Sequence, residues 1–106
     1  MVNFLKTKAD FDQALKDAGD KLVVIDFTAS WCGPCQRIAP KYVEMAKEFP
    51  DVIFYKVDVD ENDETAEAEK IQAMPTFKFY KSGKALSDYV QGANEAGLRE
   101  KIKKNK

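Results

Sequence analysis

The chain has 106 residues, of which 44% are hydrophobic and 33% are charged. This composition is typical of a single folded domain spanning residues 1–106, and it excludes a disordered chain. Seventeen Lys and Arg side chains nearly balance eighteen Asp and Glu side chains, so no broad basic field favours nucleic acid or an anionic membrane surface. The longest apolar stretch, residues 22–25, is too short to cross a bilayer.

The first half of the chain predicts two strand–helix units. Residues 2–6 are expected to form a short strand, and Thr7 is a suitable N-cap for a helix that Gly19 ends. The apolar run 22–28 is rich in β-branched residues, which predicts a strand covered on both faces. Apolar residues between Ile38 and Phe49 recur at helical spacing, and Pro40 is expected to kink that helix.

The second half predicts a strand, a short helix, a hairpin and a final helix. Residues 52–59 read as the strand, and residues 63–71 as an acidic helix that buries only Ala66, Ala68 and Ile71. Residues 76–80 and 86–91 flank a turn at 81–84, and a last helix follows from Asn94. The order βαβαβαββα predicts an α/β fold with a five-stranded mixed sheet flanked by four helices.

Both cysteines of the chain lie in Trp31-Cys32-Gly33-Pro34-Cys35, between a buried strand and the start of a helix. Unpaired N–H groups and the macrodipole at a helix N-terminus favour negative charge, so a thiol there ionises more readily. Pro34 suits the first helical turn, and Gly33 leaves the approach to the sulfur open. We predict that Cys32 is the exposed attacking nucleophile and that Cys35 is the shielded resolving thiol.

Two other interpretations of the cysteine pair carry less weight. A purely structural disulfide would close a very short loop in a chain that is large enough not to need it. A zinc site needs about four ligands, whereas this chain offers two thiols and no histidine. Dithiol–disulfide exchange is therefore the preferred interpretation.

Several short motifs occur together along nearly the whole chain: Asp26-Phe27, Ala29, Trp31-Cys32-Gly33-Pro34-Cys35, Pro40, Val57-Asp58-Val59-Asp60, Met74-Pro75-Thr76-Phe77, Gly83 and Gly92. On these residues the sequence resembles the thioredoxin family. The resemblance implies the thioredoxin fold and a protein-disulfide reductase that binds no cofactor. It also implies that a separate thioredoxin reductase supplies electrons from NADPH.

The resemblance also implies a docking surface for extended client polypeptides around Cys32. The Met74–Pro75 peptide bond would be cis, which only an X-Pro bond adopts cheaply, and the backbone of Met74 would face the client. Without the family, an ordinary turn before a strand is an equally good interpretation of Met74-Pro75. The docking residues implied are Trp31, Gly33, Pro34, Met74, Pro75, Thr76, Gly92 and Ala93.

Asp26 interrupts the apolar central strand. A carboxylate there is costly to ionise, which raises its pKa and makes it a candidate acid/base group. The alternative is that Asp26 lies near the strand end and is solvated. The resemblance favours the first interpretation: Asp26 would lie below Cys35 and, through water or Lys56, take a proton from that thiol.

Some positions depart from common family choices. Gln36 stands where a lysine is frequent, which removes one positive charge near the thiols. Thr28 replaces an aromatic residue of many bacterial members, which favours the animal-type branch. Ala73 and Asn62 stand where mammalian members carry extra cysteines, so dimerisation through those thiols is not expected.

The resemblance further implies partners and a location. Thioredoxin reductase would be the electron donor, and peroxiredoxins, ribonucleotide reductase and methionine sulfoxide reductase would be clients. A monomer is expected. A cytoplasmic location is expected as well, because the N-terminus lacks a signal-peptide pattern if Met1 is the natural start.

Two alternative functions remain open from the sequence. One is an oxidase or isomerase of the protein disulfide isomerase type, which the Gly-Pro between the cysteines disfavours, since isomerases usually have Gly-His there. The other is a redox-gated binding module, in which the chemistry is incidental to docking.

Overall fold

A computed structural model describes residues 2–106 of the chain. Five strands and four helices alternate along it: β1 (Asn3–Phe4), α1 (Lys8–Ala18), β2 (Val23–Thr28), α2 (Gly33–Glu48), β3 (Ile53–Asp58), α3 (Asp63–Ala68), β4 (Thr76–Lys81), β5 (Lys84–Gln91) and α4 (Glu95–Asn105). The predicted order βαβαβαββα is confirmed.

The strands form one mixed sheet in the order β1-β3-β2-β4-β5. Strands β1, β2 and β3 are parallel, whereas β4 runs antiparallel to both β2 and β5. The hairpin turn Ser82-Gly83 joins β4 to β5, and both residues have positive φ (54° and 78°), which suits the twist of a tight hairpin. The predicted mixed sheet and late hairpin are therefore confirmed.

Strand β2 lies at the centre of the core, and all six of its residues are buried. Val24 packs in the cluster that contains apolar residues of α2 and α4, such as Tyr42 and Leu98. Val23, Ile25 and Phe27 pack in a second cluster, which includes Phe11 of α1. Helices therefore cover both faces of the sheet, as the apolar run 22–28 predicts. Burying an apolar side chain of this size stabilises the fold by about 1.5–3 kcal/mol.

The sheet topology brings four chain segments to one edge. Thr76, the first residue of β4, pairs with Phe27 near the end of β2 and with Gln91 at the end of β5. Thr28 pairs with Asp58, so β3 ends there as well. The segments that follow β2, β3 and β5, and the one that precedes β4, consequently meet at this edge, which we call the active-site edge.

Two predicted elements are shorter by three residues in the structure. Strand β1 covers only Asn3–Phe4, and α3 ends at Ala68, three residues before the predicted end at Ile71. Lys70 has φ 59°, a left-handed conformation that no helix continues through. The burial prediction for α3 is wrong at Ala68, which is exposed, whereas Thr65 is buried.

No helix within residues 2–106 is long and apolar enough to cross a membrane. The same residues contain no group of three or more Cys, Asp or Glu side chains arranged to hold a metal ion.

Candidate active site

The two cysteines lie at the N-terminus of α2, directly after β2. Cys32 is the N-cap residue, with extended backbone angles, and Pro34 occupies the first turn, where the N–H it lacks would have no helical partner. The backbone N–H of Cys35 donates to Cys32 Sγ over 3.3 Å. The side chains form a disulfide, with Cα atoms 5.3 Å apart. A negative charge on the sulfur of Cys32 would be stabilised by that N–H group and by the helix dipole.

The two cysteine residues differ in their access to solvent. Cys32 is 6% exposed and Cys35 is 1% exposed, so Cys32 is the more accessible residue, although far less open than the sequence suggests. Ala29, Val59 and Met74 pack around the pair and leave only an edge of Cys32 at the surface. Only a small part of Cys32 is therefore open to an incoming disulfide.

A loop with a cis peptide bond lies against Cys32. The cis bond is Met74–Pro75, and the carbonyl oxygen of Met74 is 3.7 Å from Cys32 Sγ. The Thr76 hydroxyl donates to the carbonyl of Ala73 over 2.6 Å, which ties the two ends of the loop together. The Met74 backbone is thus held beside the reactive sulfur.

A second loop, which follows β5, is joined to the first. Gly92 has φ 89°, a conformation that favours glycine, and its N–H donates to the carbonyl of Pro75 over 2.8 Å. Ala93 follows at the surface. The three segments of the expected docking surface are consequently held together at the active-site edge.

The expected docking residues differ in burial. Trp31 is 66% exposed, and Gly33, Pro34 and Ala93 are also exposed. Met74 and Gly92 are half-buried, whereas Pro75 and Thr76 are buried and only shape the surface from below.

Trp31 is held by Asp60, a residue for which the sequence predicts no individual role. The indole Nε1–H of Trp31 donates to Asp60 Oδ2 over 2.7 Å. Asp60 follows β3, and its own backbone N–H donates to Asp58 Oδ1 over 2.9 Å. The available sequence signal was a tryptophan next to a reactive cysteine, together with an Asp-Val-Asp segment at the end of a neighbouring strand.

Asp26 is fully buried in the middle of β2, so the solvated alternative is wrong. Neither carboxyl oxygen of Asp26 has a hydrogen-bond partner among residues 2–106. Burial raises the pKa of Asp26 from 3.8 to about 7, and the positive charge of Lys56 opposes that increase. Asp26 can therefore gain or lose a proton near neutral pH.

Lys56 lies beside Asp26 in the sheet, since the two residues pair across β2 and β3. Its ammonium, however, lies over the ring of Phe4, with Nζ 5.2 Å from the ring centroid, and does not hydrogen-bond to the Asp26 carboxyl group. A direct contact between Lys56 and that carboxyl group is therefore absent from this oxidised form, and Lys56 acts on it through its charge.

A groove of about 520 Å³ lies far from this chemistry. It is bounded by α1 and the β4–β5 turn, with Leu15, Gly19 and Gly83 in its lining. That turn is at the opposite edge of the sheet from Cys32, and no cysteine lines the groove. The reactive surface is instead a shallow area around one sulfur, which suits a macromolecular partner better than an enclosed small molecule.

A redox pair at a helix N-terminus beside a cis-proline loop, with a buried carboxyl group on the preceding strand, places the chain among the dithiol–disulfide oxidoreductases. Comparison with known proteins defines the group more narrowly. Residues 2–104 match the family model described as Thioredoxin. The chain belongs to the thioredoxin family, as the sequence resemblance implied, and it is a disulfide oxidoreductase that acts on protein disulfides.

Three relatives show how close the match is. Thioredoxin-2 of Saccharomyces cerevisiae is 47% identical over 105 residues, which cover 99% of both chains. The X-ray structure of Fasciola hepatica thioredoxin is 48% identical with a TM-score of 0.96, over 99% of this chain and 100% of that one. A chain from a structure on the thiol resolving mechanism of yeast mitochondrial 1-Cys peroxiredoxin via glutathione/thioredoxin systems is 35% identical, with a TM-score of 0.90 over 97% and 94% of the two chains.

Proposed function

We propose that this protein is a general reductase of client-protein disulfides, with Cys32 as nucleophile and Cys35 as resolving thiol. One observation carries the proposal: the backbone N–H of Cys35 donates to Cys32 Sγ over 3.3 Å. Cys32 is also the more accessible of the two cysteines. The donor is in place to stabilise negative charge on the sulfur that a client can reach.

In the first step, the Cys32 thiolate attacks one sulfur of the client disulfide. A bond forms between Cys32 Sγ and that sulfur, the client S–S bond breaks, and the second client sulfur leaves as a thiolate that takes a proton from solvent. The product is a mixed disulfide that lies against the Met74 backbone.

In the second step, Cys35 resolves the mixed disulfide. Its thiol loses a proton, which we assign through water to the Asp26 carboxylate, because the pKa of that group is about 7. The Cys35 thiolate then attacks Cys32 Sγ, the Cys32–Cys35 disulfide forms, and the client sulfur leaves as a thiolate. Two electrons have passed to the client, which is fully reduced, and Lys56 favours the charged form of Asp26 throughout.

The docking surface receives an extended client segment beside Cys32. Trp31, Gly33, Pro34 and Ala93 supply its exposed, weakly polar part, and the Met74 backbone can pair with the client as one strand pairs with another. Pro75, Thr76 and Gly92 hold that backbone in place.

The cycle requires a partner that returns two electrons to the disulfide. We assign this role to a thioredoxin reductase that uses NADPH, so that the protein needs no bound cofactor of its own. Similarity to the chain from the peroxiredoxin study supports peroxiredoxins as clients. Ribonucleotide reductase and methionine sulfoxide reductase, which also form disulfides in turnover, belong to the same proposal. A reducing compartment such as the cytoplasm suits this activity.

Reduction of insulin disulfides by NADPH, catalysed by a thioredoxin reductase and this protein, tests the proposal. Wild-type protein should support continuous NADPH oxidation, Cys32→Ser should not, and Lys84→Glu at the opposite edge of the sheet should match wild type. Failure of the wild-type protein to reduce insulin even after its own disulfide is reduced with dithiothreitol would refute the proposal.

A further inference from the structure

A shallow pocket of about 240 Å³ lies on α2 next to the docking surface. Arg37, Ile38 and Lys41 of α2 line it together with Ala93 and Glu95, which flank the start of α4. Ala93 also belongs to the proposed docking surface. The pocket and that surface are therefore continuous.

Arg37 extends from the pocket back towards the cysteines. A Cβ atom placed on Gly33, the residue after Cys32, would lie 3.7 Å from Arg37 Nη1. The guanidinium therefore reaches the first turn of α2, and a client that crosses Cys32 Sγ passes close to it.

The cation of Arg37 has no partner within the described part of the chain. The other charges of the pocket do: Lys41 pairs with Glu44 over 3.5 Å, and Glu95 pairs with Arg99. Arg37 is an exposed residue and forms no ion pair with any of residues 2–106. Its planar group of N–H donors matches a carboxylate in shape and charge.

The opposite flank of the reactive sulfur has the opposite charge. At the active-site edge, β3 and β5 lie on either side of β2 and β4, so the segment after β3 and the Arg37 pocket flank Cys32. Residues 58–67 contain six acidic side chains and no basic one. An acidic client segment is repelled on the β3 side, whereas Arg37 offers it an unpaired cation on the β5 side.

We propose that Arg37, with Lys41 beside it, forms a subsite for the carboxylate of an Asp or Glu residue in the client polypeptide. The inference rests on the proposed reduction of clients and adds a preference among them. Arg37 follows Cys32 by five positions, about 7.5 Å along the helix axis at a rise of 1.5 Å per residue. Because the guanidinium reaches back to the first turn, this is an upper bound, and in an extended client it corresponds to at most about two or three residues from the cysteine under attack.

Three peptides that are identical and uncharged except at the two tested positions probe the subsite. Each has a single cysteine joined to 2-mercaptoethanol by a disulfide bond. One has Gln three residues before and three residues after the cysteine, and the others replace the first or the second Gln by Glu. The second-order rate constant for reduction is measured with the reduced full-length protein by acid quenching and chromatography.

A Glu peptide should react about two- to fivefold faster than the Gln peptide, which is the range expected for an exposed ion pair. Arg37→Glu should remove or reverse that preference, and Arg37→Lys should keep part of it. Lys84→Glu makes the same change of net charge at the opposite edge of the sheet and should keep all of it.

Equal rates for the three peptides, or a preference that survives Arg37→Glu, would overturn the subsite. So would a loss of preference in Lys84→Glu as large as that in Arg37→Glu, because it would show an effect of net charge alone. These outcomes differ from failure of the proposed function, in which neither the Gln peptide nor insulin is reduced by the wild-type protein.

Discussion

Cys32 and Cys35 are three residues apart in one helical turn, yet their surroundings differ. Cys32 is the N-cap residue, lies within the proposed docking surface and has the Met74 carbonyl oxygen 3.7 Å from its sulfur. Cys35 lies inside the helix, is almost fully buried and directs its backbone N–H at Cys32 Sγ. A client can thus reach the thiol of Cys32, whereas only Cys32 lies within reach of the thiol of Cys35.

This difference shows how a fold assigns an order to two chemically identical groups. One turn of helix changes both access and electrostatics, because a helix N-terminus stabilises negative charge chiefly within its first residues. The buried Asp26 carboxyl group adds to this difference between the two thiols, because we assign it to Cys35 alone. Burial raises its pKa to about 7, so it can accept a proton at neutral pH.

The largest effect concerns the cysteines themselves. Cys32→Ser and Cys35→Ser should each abolish turnover, but only Cys35→Ser should accumulate mixed disulfides with client proteins, because it retains the attacking thiol and lacks the resolving one. Non-reducing electrophoresis and mass spectrometry of a trapped peroxiredoxin or insulin chain measure the difference.

An independent control uses no substitution. Brief treatment of the reduced wild-type protein with iodoacetamide at neutral pH should alkylate Cys32 and leave Cys35 unmodified, which peptide mapping can quantify. Equal trapping by both serine variants, or equal alkylation of both thiols, would contradict the order of attack.

The second effect concerns the free energy of unfolding. The pKa of Asp26 is raised on folding, from 3.8 to about 7, so the protein should be most stable with respect to this group below pH 4 and lose that stability as pH rises to 7. The loss amounts to about 4 kcal/mol from the difference in pKa. Asp26→Asn should therefore be more stable than wild type at pH 8, and the gap should close below pH 4.

Urea unfolding of the oxidised protein at several pH values measures this gap. The exposed Asp20→Asn variant is the matched control and should follow the wild-type curve. A constant difference between Asp26→Asn and wild type from pH 4 to pH 8 would show that the buried carboxyl group does not titrate in this range.

The third effect separates the two chemical steps. Asp26→Asn should slow turnover at pH 7 by about tenfold or more, since general base catalysis contributes at least that much, while formation of the mixed disulfide is nearly unchanged. Pre-steady-state measurements with excess client distinguish the steps. If both steps slow equally, Asp26 does not act specifically on Cys35.

The smallest effect concerns the residue that holds Trp31. Asp60→Ala removes the acceptor of the indole N–H, and the second-order rate constant for insulin reduction should fall about twofold, the scale of one exposed hydrogen bond. Glu61→Ala removes the same charge one residue away without touching Trp31 and should have a smaller effect. Equal rates in the two variants would leave charge, and not the position of the indole, as the relevant property.

Much of the fold could be predicted because local signals agree with tertiary packing. Thr7 accepts from the Asp10 N–H at the start of α1, and Gly19 ends that helix with φ 61°, as the sequence predicts. The end of α3 could not be located, because acidic residues with scattered alanines support helix for longer than packing does. The left-handed conformation of Lys70, which interrupts any continuation, has no sequence signal comparable to a glycine.

The site was predictable where one residue type is required, and less so where distant segments meet. The disulfide pair and the helix start follow from the local sequence. The exposure of Cys32 does not, because Val59 and Met74 cover it from other parts of the sheet. The position of the Lys56 ammonium could not be predicted either, since it lies over the ring of Phe4, on a strand only two residues long.

The position of Trp31 gives the protein an intrinsic optical signal. It is the only tryptophan of the chain, it is adjacent to Cys32, and Asp60 fixes the edge of its indole. Disulfides quench indole fluorescence at short range, so emission should brighten when the pair is reduced. The tryptophan emission of the unlabelled protein can therefore report its oxidation state during the reaction, without a dye or a coupled assay.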